Sequence, residues 1–481
     1  MPAERKSQNP TPPAFSERAA APPSRPEPAA AGDTDRALFD WVAGVTGGRV
    51  VQTRQVTGGN RYRSWAVDVA TDDAAEPKPL YLRYQMPRPP SAEPYTVARE
   101  AGIYRAISGI ASVKAPRLLA MHPDGCAMLT ERAPGRADYR RLADPGHRVA
   151  VVQDFVAALA SLHRLDIAGL GLEGHVPGLT IAEAVQREID VWRAMYRETG
   201  HDDPLIDLAL SWLDTNLPRP DERPVLAHGD AGPGNFLFEG GRMTALLDWE
   251  LAHIGDPMED LAWFSMRCVM EPVPDFAERV REYERLAGRT IDKARVLYHR
   301  VLVSTRVVII RHRNVTGEPG NSIVSRALNR RLLIDALAGA IGVRLTAPVP
   351  VEAPPTARTE LYDGVIDDLW AKMAERSTDG SIVAAAKNGA KVLKFLRDSD
   401  RLGPAIEQAD LAALAALLGR RPATVPEGQG ELVEGMAGRR FSPADAFAWS
   451  RVRHVFASEV SPALPAFSSV KISALHPAAS F

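Results

Sequence analysis

Cysteine is scarce: Cys126 and Cys268 stand alone in 481 residues, with no CxxC pair. That excludes a disulfide framework and a structural zinc site and suits a reducing compartment, so a cytoplasmic location is expected. An excess of positive charge is also lacking, since 58 Lys and Arg face 60 Asp and Glu for a net charge of −2. Neutralising a phosphate backbone needs a basic field that this balance does not supply, and no nucleic-acid partner is expected. Long apolar runs are missing too. The most apolar stretch, Val301 to Ile310, is interrupted by Arg306 and falls far short of the roughly 20 residues that span a bilayer, so no membrane partner is expected. The N-terminus, MPAERKSQNPTPPAF, carries no apolar segment of the kind a secretion signal needs.

What is present is chain enough for more than one core. Single cores stop growing at roughly 250 to 300 residues, so 481 residues predict two or three domains. Residues 1–32 are rich in proline and alanine, a composition too poor in apolar bulk to offset backbone ordering, and predict a disordered arm. Residues 33–133 read as a small lobe. A helix carrying Ala37, Leu38, Trp41 and Val42 leads into strands at Gly47–Val56 and Ser64–Val69, around the turn Thr57-Gly58-Gly59-Asn60. A third strand at Leu80–Tyr84, a helix from Thr96 to Ile107 and a hairpin of Arg117–His122 with Cys126–Arg132 complete it.

In residues 134–345 helices dominate, as in Val149–His163, where Val152, Phe155, Val156, Leu159 and Leu162 share one face. The exception is a hairpin of Asn235–Phe238 and Met243–Leu247 joined by Glu239-Gly240-Gly241-Arg242. A Pro-rich linker at 346–358 separates this lobe from a helical domain at 359–460, with helices at Leu361–Arg376, Ser381–Asp398 and Asp410–Leu418; 461–481 form a tail. The fold class is α+β: a small antiparallel β lobe, a mainly helical lobe and a separate all-helical C-terminal domain.

The stretch that carries chemistry is LAHGDAGPGN, residues 226–235, followed by ALLDWE at 245–250. Phosphoryl transfer to an alcohol needs a carboxylate to orient the hydroxyl and take its proton, and oxygen ligands that hold Mg²⁺ against the phosphates. Asp230 supplies the first; Asn235 and Asp248 supply the second. Glycines at 229, 232 and 234 allow a sharp loop between base and ligand. Asp248 ends an apolar strand, which would bring its carboxylate out beside that loop. His228, two residues before the base, reads as a loop-holding hydrogen-bonder. Glu250 is open between metal ligand and solvated strand end.

These residues resemble the catalytic core of the aminoglycoside phosphotransferase and choline kinase family, whose HGDxxxxN loop and following aspartate match His228-Gly229-Asp230, Asn235 and Asp248. The segment DWELAHIGDPMEDLAWF is similar to the branch fused to some acyl-CoA dehydrogenases. The resemblance runs from about residue 33 to residue 345 and implies a two-lobed, protein-kinase-like fold binding Mg²⁺ and ATP or GTP. It implies an upstream lobe that grips the nucleotide with the Gly58-Gly59 turn, Arg83 on a strand paired with Glu100 on a helix, and a hinge near Met128 to Arg132, where Met128 and Thr130 meet the nucleotide. Arg83 stands where the wider family carries lysine, and TGGNRYRS is not GxGxxG. Asp260 resembles the family's buried brace of the catalytic loop, while Asp256-Pro257-Met258-Glu259 reads as a capping box in which Glu259 reaches back.

The acceptor implied is a small molecule with a hydroxyl. The branch points to a hydroxyacyl-CoA or hydroxy acid, and the alternatives are an aminoglycoside- or choline-type substrate, or a catalytically silent nucleotide-binding regulator. Trp192 and Tyr196, at i and i+4 on a helix spanning Thr180–Glu198, either line the acceptor site or pack the helix. The C-terminal helices carry no cluster of reactive side chains; dimerisation, lid formation and partner docking are open to them.

Overall fold

The computed structural model describes residues 31–56, 62–313, 319–343, 352–438, 440, 441, 445, 447 and 475–481. The proline-rich arm, the Gly58-Gly59 turn, half of the linker and most of the tail lie outside them. Two compact units are present: Met1–Val51 with Val69–Lys78, and Gln52–Asp68 with Pro79–Phe481. In the first, α1 (Ala31–Thr46) buries Leu38 and Val42.

The small lobe is a five-stranded sheet of order β1-β2-β3-β5-β4, made of β1 (Arg49–Val56), β2 (Tyr62–Ala70), β3 (Lys78–Gln85), β4 (Leu118–Met121) and β5 (Ala127–Glu131). Between β3 and β4 runs α2 (Val97–Ile107), begun by Thr96, whose hydroxyl accepts from the Arg99 N–H at 3.1 Å. Strand alternation decides what β3 presents: Leu80, Leu82 and Tyr84 are buried on one face, which leaves Arg83 on the other. β3 pairs antiparallel with β5, Arg83 opposite Met128.

The second lobe is helical around two short strand pairs. Its helices are α3 (Pro145–Leu162), α4 (Ile181–Arg197), α5 (Pro204–Thr215), α6 (Pro257–Met270), α7 (Phe276–Ala287), α8 (Lys293–Arg313) and α9 (Pro319–Ile341). β6 (Val225–Ala227) pairs with β9 (His253–Gly255), and β7 (Phe236–Glu239) with β8 (Arg242–Leu246). The β7–β8 turn has positive φ at Gly240 and Gly241, 54° and 75°, the backbone that a two-residue hairpin demands. A row of rings fixes β7 to the helices: Tyr139–Phe236, Phe236–Phe155, Phe155–Phe264 and Phe264–Phe276 centroids lie 5.8, 5.4, 5.2 and 5.1 Å apart. Phe236 directly follows Asn235, and Phe264 is one turn beyond Asp260, so this row sets the site's floor.

Beyond the linker come α10 (Thr359–Asp367), running on as a π-helical turn at Asp368–Ala374, then α11 (Gly380–Leu418) and α12 (Val425–Ala437). α11 differs from expectation. The sequence predicts two helices, at Ser381–Asp398 and Asp410–Leu418, whereas one 39-residue helix passes straight through Pro404. Proline there removes an N–H from the ladder and crowds the Asp400 carbonyl. Packing on either side outweighs it: Leu402 and Ile406 form a small buried cluster, and Leu411, Leu414 and Leu418 join the main core. α11 packs on α9, and α12 on α5. Among the described residues, no helix is long and apolar enough to cross a membrane.

Pro404→Ala restores that N–H and is expected to stabilise the chain by at most about 3 kcal/mol, read as a higher midpoint of thermal or urea unfolding. An unchanged or lower midpoint would show that the proline relieves strain that an unbroken helix would carry.

Candidate active site

The loop of residues 228–235 connects β6 to β7, and α6 holds it from below. Asp260 is fully buried on the first turn of α6. Its Oδ2 accepts from the His228 N–H at 2.7 Å, and its Oδ1 from the Gly229 N–H at 2.9 Å. The His163 Nε2 lies 2.9 Å from Oδ2, with the Tyr283 hydroxyl 2.6 Å from the other ring nitrogen. Aiming two successive N–H groups at one carboxylate turns the backbone sharply, and Gly229 has φ +79°. A Cβ there would stand 2.2 Å from the Leu251 carbonyl oxygen, so only glycine fits.

His228 is buried beside Trp249, ring centroids 4.6 Å apart. Its Nδ1 accepts from the Asp230 N–H at 3.3 Å, which leaves Nε2 to donate to the Leu247 carbonyl at 2.9 Å. Burial pulls its pKa below the ordinary histidine value. A neutral ring bonded at both nitrogens is a tether. The Leu247 N–H in turn donates to the Asn235 carbonyl at 2.8 Å. Clamped on both sides, Leu247 delivers the next residue, Asp248, to the loop. Asp248 itself takes left-handed backbone, φ +66° and ψ +59°, a conformation aspartate tolerates better than most side chains.

Asp248 meets the small lobe through Arg83. The Arg83 Nη1 lies 2.8 Å from each Glu100 oxygen, and its Nη1 and Nη2 donate to Asp248 Oδ1 at 3.2 and 3.1 Å. Burial opposes the Arg83 charge, but Glu100 and Asp248 outweigh it and hold the guanidinium protonated well above its usual range. For Asp248, Arg83 likewise overcomes burial and lowers the pKa. Glu100, with no exposure, is left raised because burial dominates.

Asp230 is held on three sides. Its Oδ1 accepts from Arg267 Nε at 2.7 Å, and its Oδ2 accepts from Arg267 Nη2 and, at 2.8 Å, from Asn235 Nδ2. The same Asn235 amide also donates to the Asp230 carbonyl at 2.8 Å, and Arg267 Nη1 donates to the Pro233 carbonyl at 3.1 Å.

The structure thus brings together Asp230, Asn235, Asp248, Arg83, Glu100, His228 and Asp260. Met128 and Thr130 are buried within β5, whose end at Glu131 falls inside the Met128 to Arg132 segment expected to form the hinge. Gly58 and Gly59 lie outside the described residues. Trp192 packs against Tyr95 at 5.4 Å and beneath Arg306, and the Tyr196 hydroxyl donates to Asp207 at 2.9 Å. Glu250 sits in a short 3-10 turn, Trp249–Leu251, its carbonyl accepting from Arg99. The capping box at α6 is only half formed. Asp256 caps by accepting from the Met258 N–H at 2.9 Å, whereas Glu259 turns inward to a buried ion pair with Arg306. A core cation with no water nearby claims the carboxylate more strongly than a backbone N–H does.

Arg267 and His163 were not anticipated. A signal for Arg267 was present: it lies seven residues after Asp260, two helical turns along the same face. For His163, the last residue before a loop, the sequence offers none.

The Asp260 carboxyl is held below its ordinary range: burial opposes its charge, but the His163 hydrogen bond and the His228 N–H outweigh it. Such a group's stabilisation is complete above its unfolded pKa, about 3.9, and is lost as pH falls through the folded value. Asp260→Asn is therefore expected to destabilise the chain at pH 7 by about 1 to 3 kcal/mol for each N–H left unsatisfied. The gap to wild type should close below about pH 4; denaturant titrations at pH 7 and in the acid range measure it.

Comparison with known proteins gives the same reading of the fold. Residues 41–297, more than half of the chain, match the model of the phosphotransferase enzyme family. Acyl-CoA dehydrogenase family member 11 of Rattus norvegicus is 37% identical over 125 residues, 25% of this chain and 16% of that protein. Family member 10 of Mus musculus is 29% identical over 186 residues, 36% of this chain and 17% of that protein. The chain therefore matches only about a sixth of the length of these relatives. A crystal structure from Ralstonia eutropha, provisionally assigned as an aminoglycoside phosphotransferase, superposes with a TM-score of 0.51 at 21% identity, covering 65% of this chain and 99% of that one. That likeness shows the kinase-like fold. On the family match, the chain belongs to the phosphotransferase enzyme family.

Proposed function

We propose that the chain transfers the γ-phosphate of ATP or GTP to the hydroxyl of a small molecule, with Asp230 as general base. The observation that carries this reading is the meeting of Arg83, Glu100 and Asp248 at 2.8 to 3.2 Å, next to a loop that holds Asp230 and Asn235 in hydrogen-bond contact.

Each residue has a chemical task. Arg83, kept charged by Glu100, offers a guanidinium fork to the α- and β-phosphates. Asp248 Oδ2 and Asn235 Oδ1 accept no hydrogen bond among the described residues, so one carboxylate oxygen and one amide oxygen remain for a divalent cation. That donor set suits magnesium, which takes one or two carboxylates and completes its octahedron with phosphate oxygens and water. When bound, the ion would offset charge on the β- and γ-phosphates. Asp230 takes the acceptor's proton as the hydroxyl oxygen bonds to the γ-phosphorus. The bond from that phosphorus to the β-bridging oxygen breaks, and the nucleoside diphosphate leaves with the electron pair.

For the acceptor we favour a hydroxyacyl-CoA or hydroxy acid, on the support of the partial match to acyl-CoA dehydrogenase family members. The cytoplasm suits both cysteines, which are free thiols.

The test is nucleoside diphosphate release with ATP or GTP, Mg²⁺ and a library of hydroxylated metabolites. Asp230→Asn should lower kcat by about 10² to 10⁴ with little change in nucleotide affinity. Activity that survives the substitution would remove Asp230 from its role. Nucleotide binding without turnover across the library would favour a silent regulator.

A further inference from the structure

Both oxygens of the Asp230 carboxylate are occupied. Arg267 reaches Oδ1 through Nε at 2.7 Å and Oδ2 through Nη2, a two-pronged fork, and Asn235 adds a third donor. A hydroxyl needs one of these oxygens within about 2.6 to 3.2 Å before it can give up its proton. Among the described residues Oδ1 accepts only the Arg267 Nε bond and keeps a second lone pair, so a hydroxyl that reaches the base lies against the guanidinium and competes with it for Asp230.

The loop is shaped around this arginine. Gly232 and Gly234 have φ +139° and +95°; a Cβ at 232 would lie 3.1 Å from the Arg267 Cβ and Cδ, and one at 234 3.0 Å from Nη1. Displacing the fork leaves a part-buried cation without its main counter-charge, a state that costs more than the hydroxyl's single hydrogen bond returns. Asp248 and Glu271 are the further anions that act on Arg267, but Asp248 is already held by Arg83, and Glu271 Oε1 lies 3.8 Å from the point beside Gly234 that Nη1 approaches. Its second oxygen, Oε2, is buried with no hydrogen-bond partner among the described residues. Burial raises the Glu271 pKa, so it holds negative charge less firmly than a solvated carboxylate does. An anion carried in by the acceptor meets the need directly.

We propose that Arg267 is a specificity-determining residue that selects acceptors bearing an anionic group, a carboxylate above all, close to the hydroxyl that is phosphorylated. The acceptor's anion takes over the guanidinium while its hydroxyl takes over Asp230. With no such acceptor bound, the fork holds the Asp230 charge and makes it a weaker base toward water, so the nucleotide is not wasted by hydrolysis. The inference rests on Asp230 as base.

The experiment measures ADP release by the full chain with ATP and Mg²⁺, using 2-, 3- and 4-hydroxy acids of four to ten carbons and the primary amide of each. For wild type, kcat/KM for an acid should exceed that for its amide by about tenfold or more. In Arg267→Gln that ratio should fall to within about threefold of one, chiefly through KM for the acid, and acceptor-free ATP hydrolysis should rise. Arg267→Lys, which keeps the charge and loses the fork, should give an intermediate ratio. It decides the matter if the glutamine variant is inactive or misfolded: an unchanged ratio overturns the proposal. Equal use of acids and amides by wild type, or turnover of neutral alcohols alone, overturns the role of Arg267 and leaves the kinase reading standing. Silence with these compounds and with the whole metabolite library overturns both.

Discussion

Asp260 has no water to solvate it, and its two oxygens are satisfied by the N–H groups of His228 and Gly229 together with the His163 ring. Everything about the catalytic loop follows from that arrangement. A buried carboxylate is tolerated only when its lone pairs are met, and here two successive backbone donors meet them. Donors at consecutive positions point the same way only if the chain folds back on itself, so Gly229 adopts left-handed backbone and presses against Leu251. That reversal turns the next side chain, Asp230, away from the core. One buried charge thereby sets both the position and the direction of Asp230, the proposed base.

Charge also fixes α6 on its other side. Asp256 receives the Arg295 fork at 3.0 and 2.6 Å, with His299 Nε2 at 3.0 Å, and Glu259 pairs with Arg306. Burial would raise both carboxyls, but these cations hold them well below the ordinary range. Arg295, His299 and Arg306 all lie on α8. Consecutive Glu259 and Asp260 face different ways around the helix, one toward α8 and one toward the loop. A buried pair like this adds little net stability, yet removing one member leaves the other stranded. Its effect is on register: sliding α6 by one residue would break the α8 contacts and the loop contacts together.

The parts of this site legible in the sequence are those whose partners are close in the chain. The HGDxxxxN spacing and the strand before Asp248 define the loop, because a few residues with three glycines can turn in few ways. The start of α2 beside Thr96 and the Gly240-Gly241 turn are likewise local, and the structure has them where the sequence implies. Arg83 with Glu100 came through the resemblance, since nothing in the 17-residue separation between them says that a strand and a helix will meet there. The hidden parts are contests decided in three dimensions. Glu259 has a local role open to it, and a distant arginine wins it. Pro404 signals a break, and apolar packing along α11 overrides it. Arg267 reads as one more cation on an amphipathic helix until the loop is folded over it.

Arg267 also explains why the site has one cation more than phosphoryl transfer requires. Arg83 and a divalent ion suffice to balance the phosphates, and a guanidinium seated on the base would oppose catalysis by holding the very charge that must accept a proton. A fixed cation in that place is a liability; a displaceable one is a filter. Water is neutral and cannot relieve the guanidinium of its partner, whereas an anionic acceptor can. On the proposed role of Arg267, ground-state protection and substrate choice are two consequences of one contact, and the discrimination falls at the proposed base itself, where a wrong molecule is refused before the nucleotide is committed.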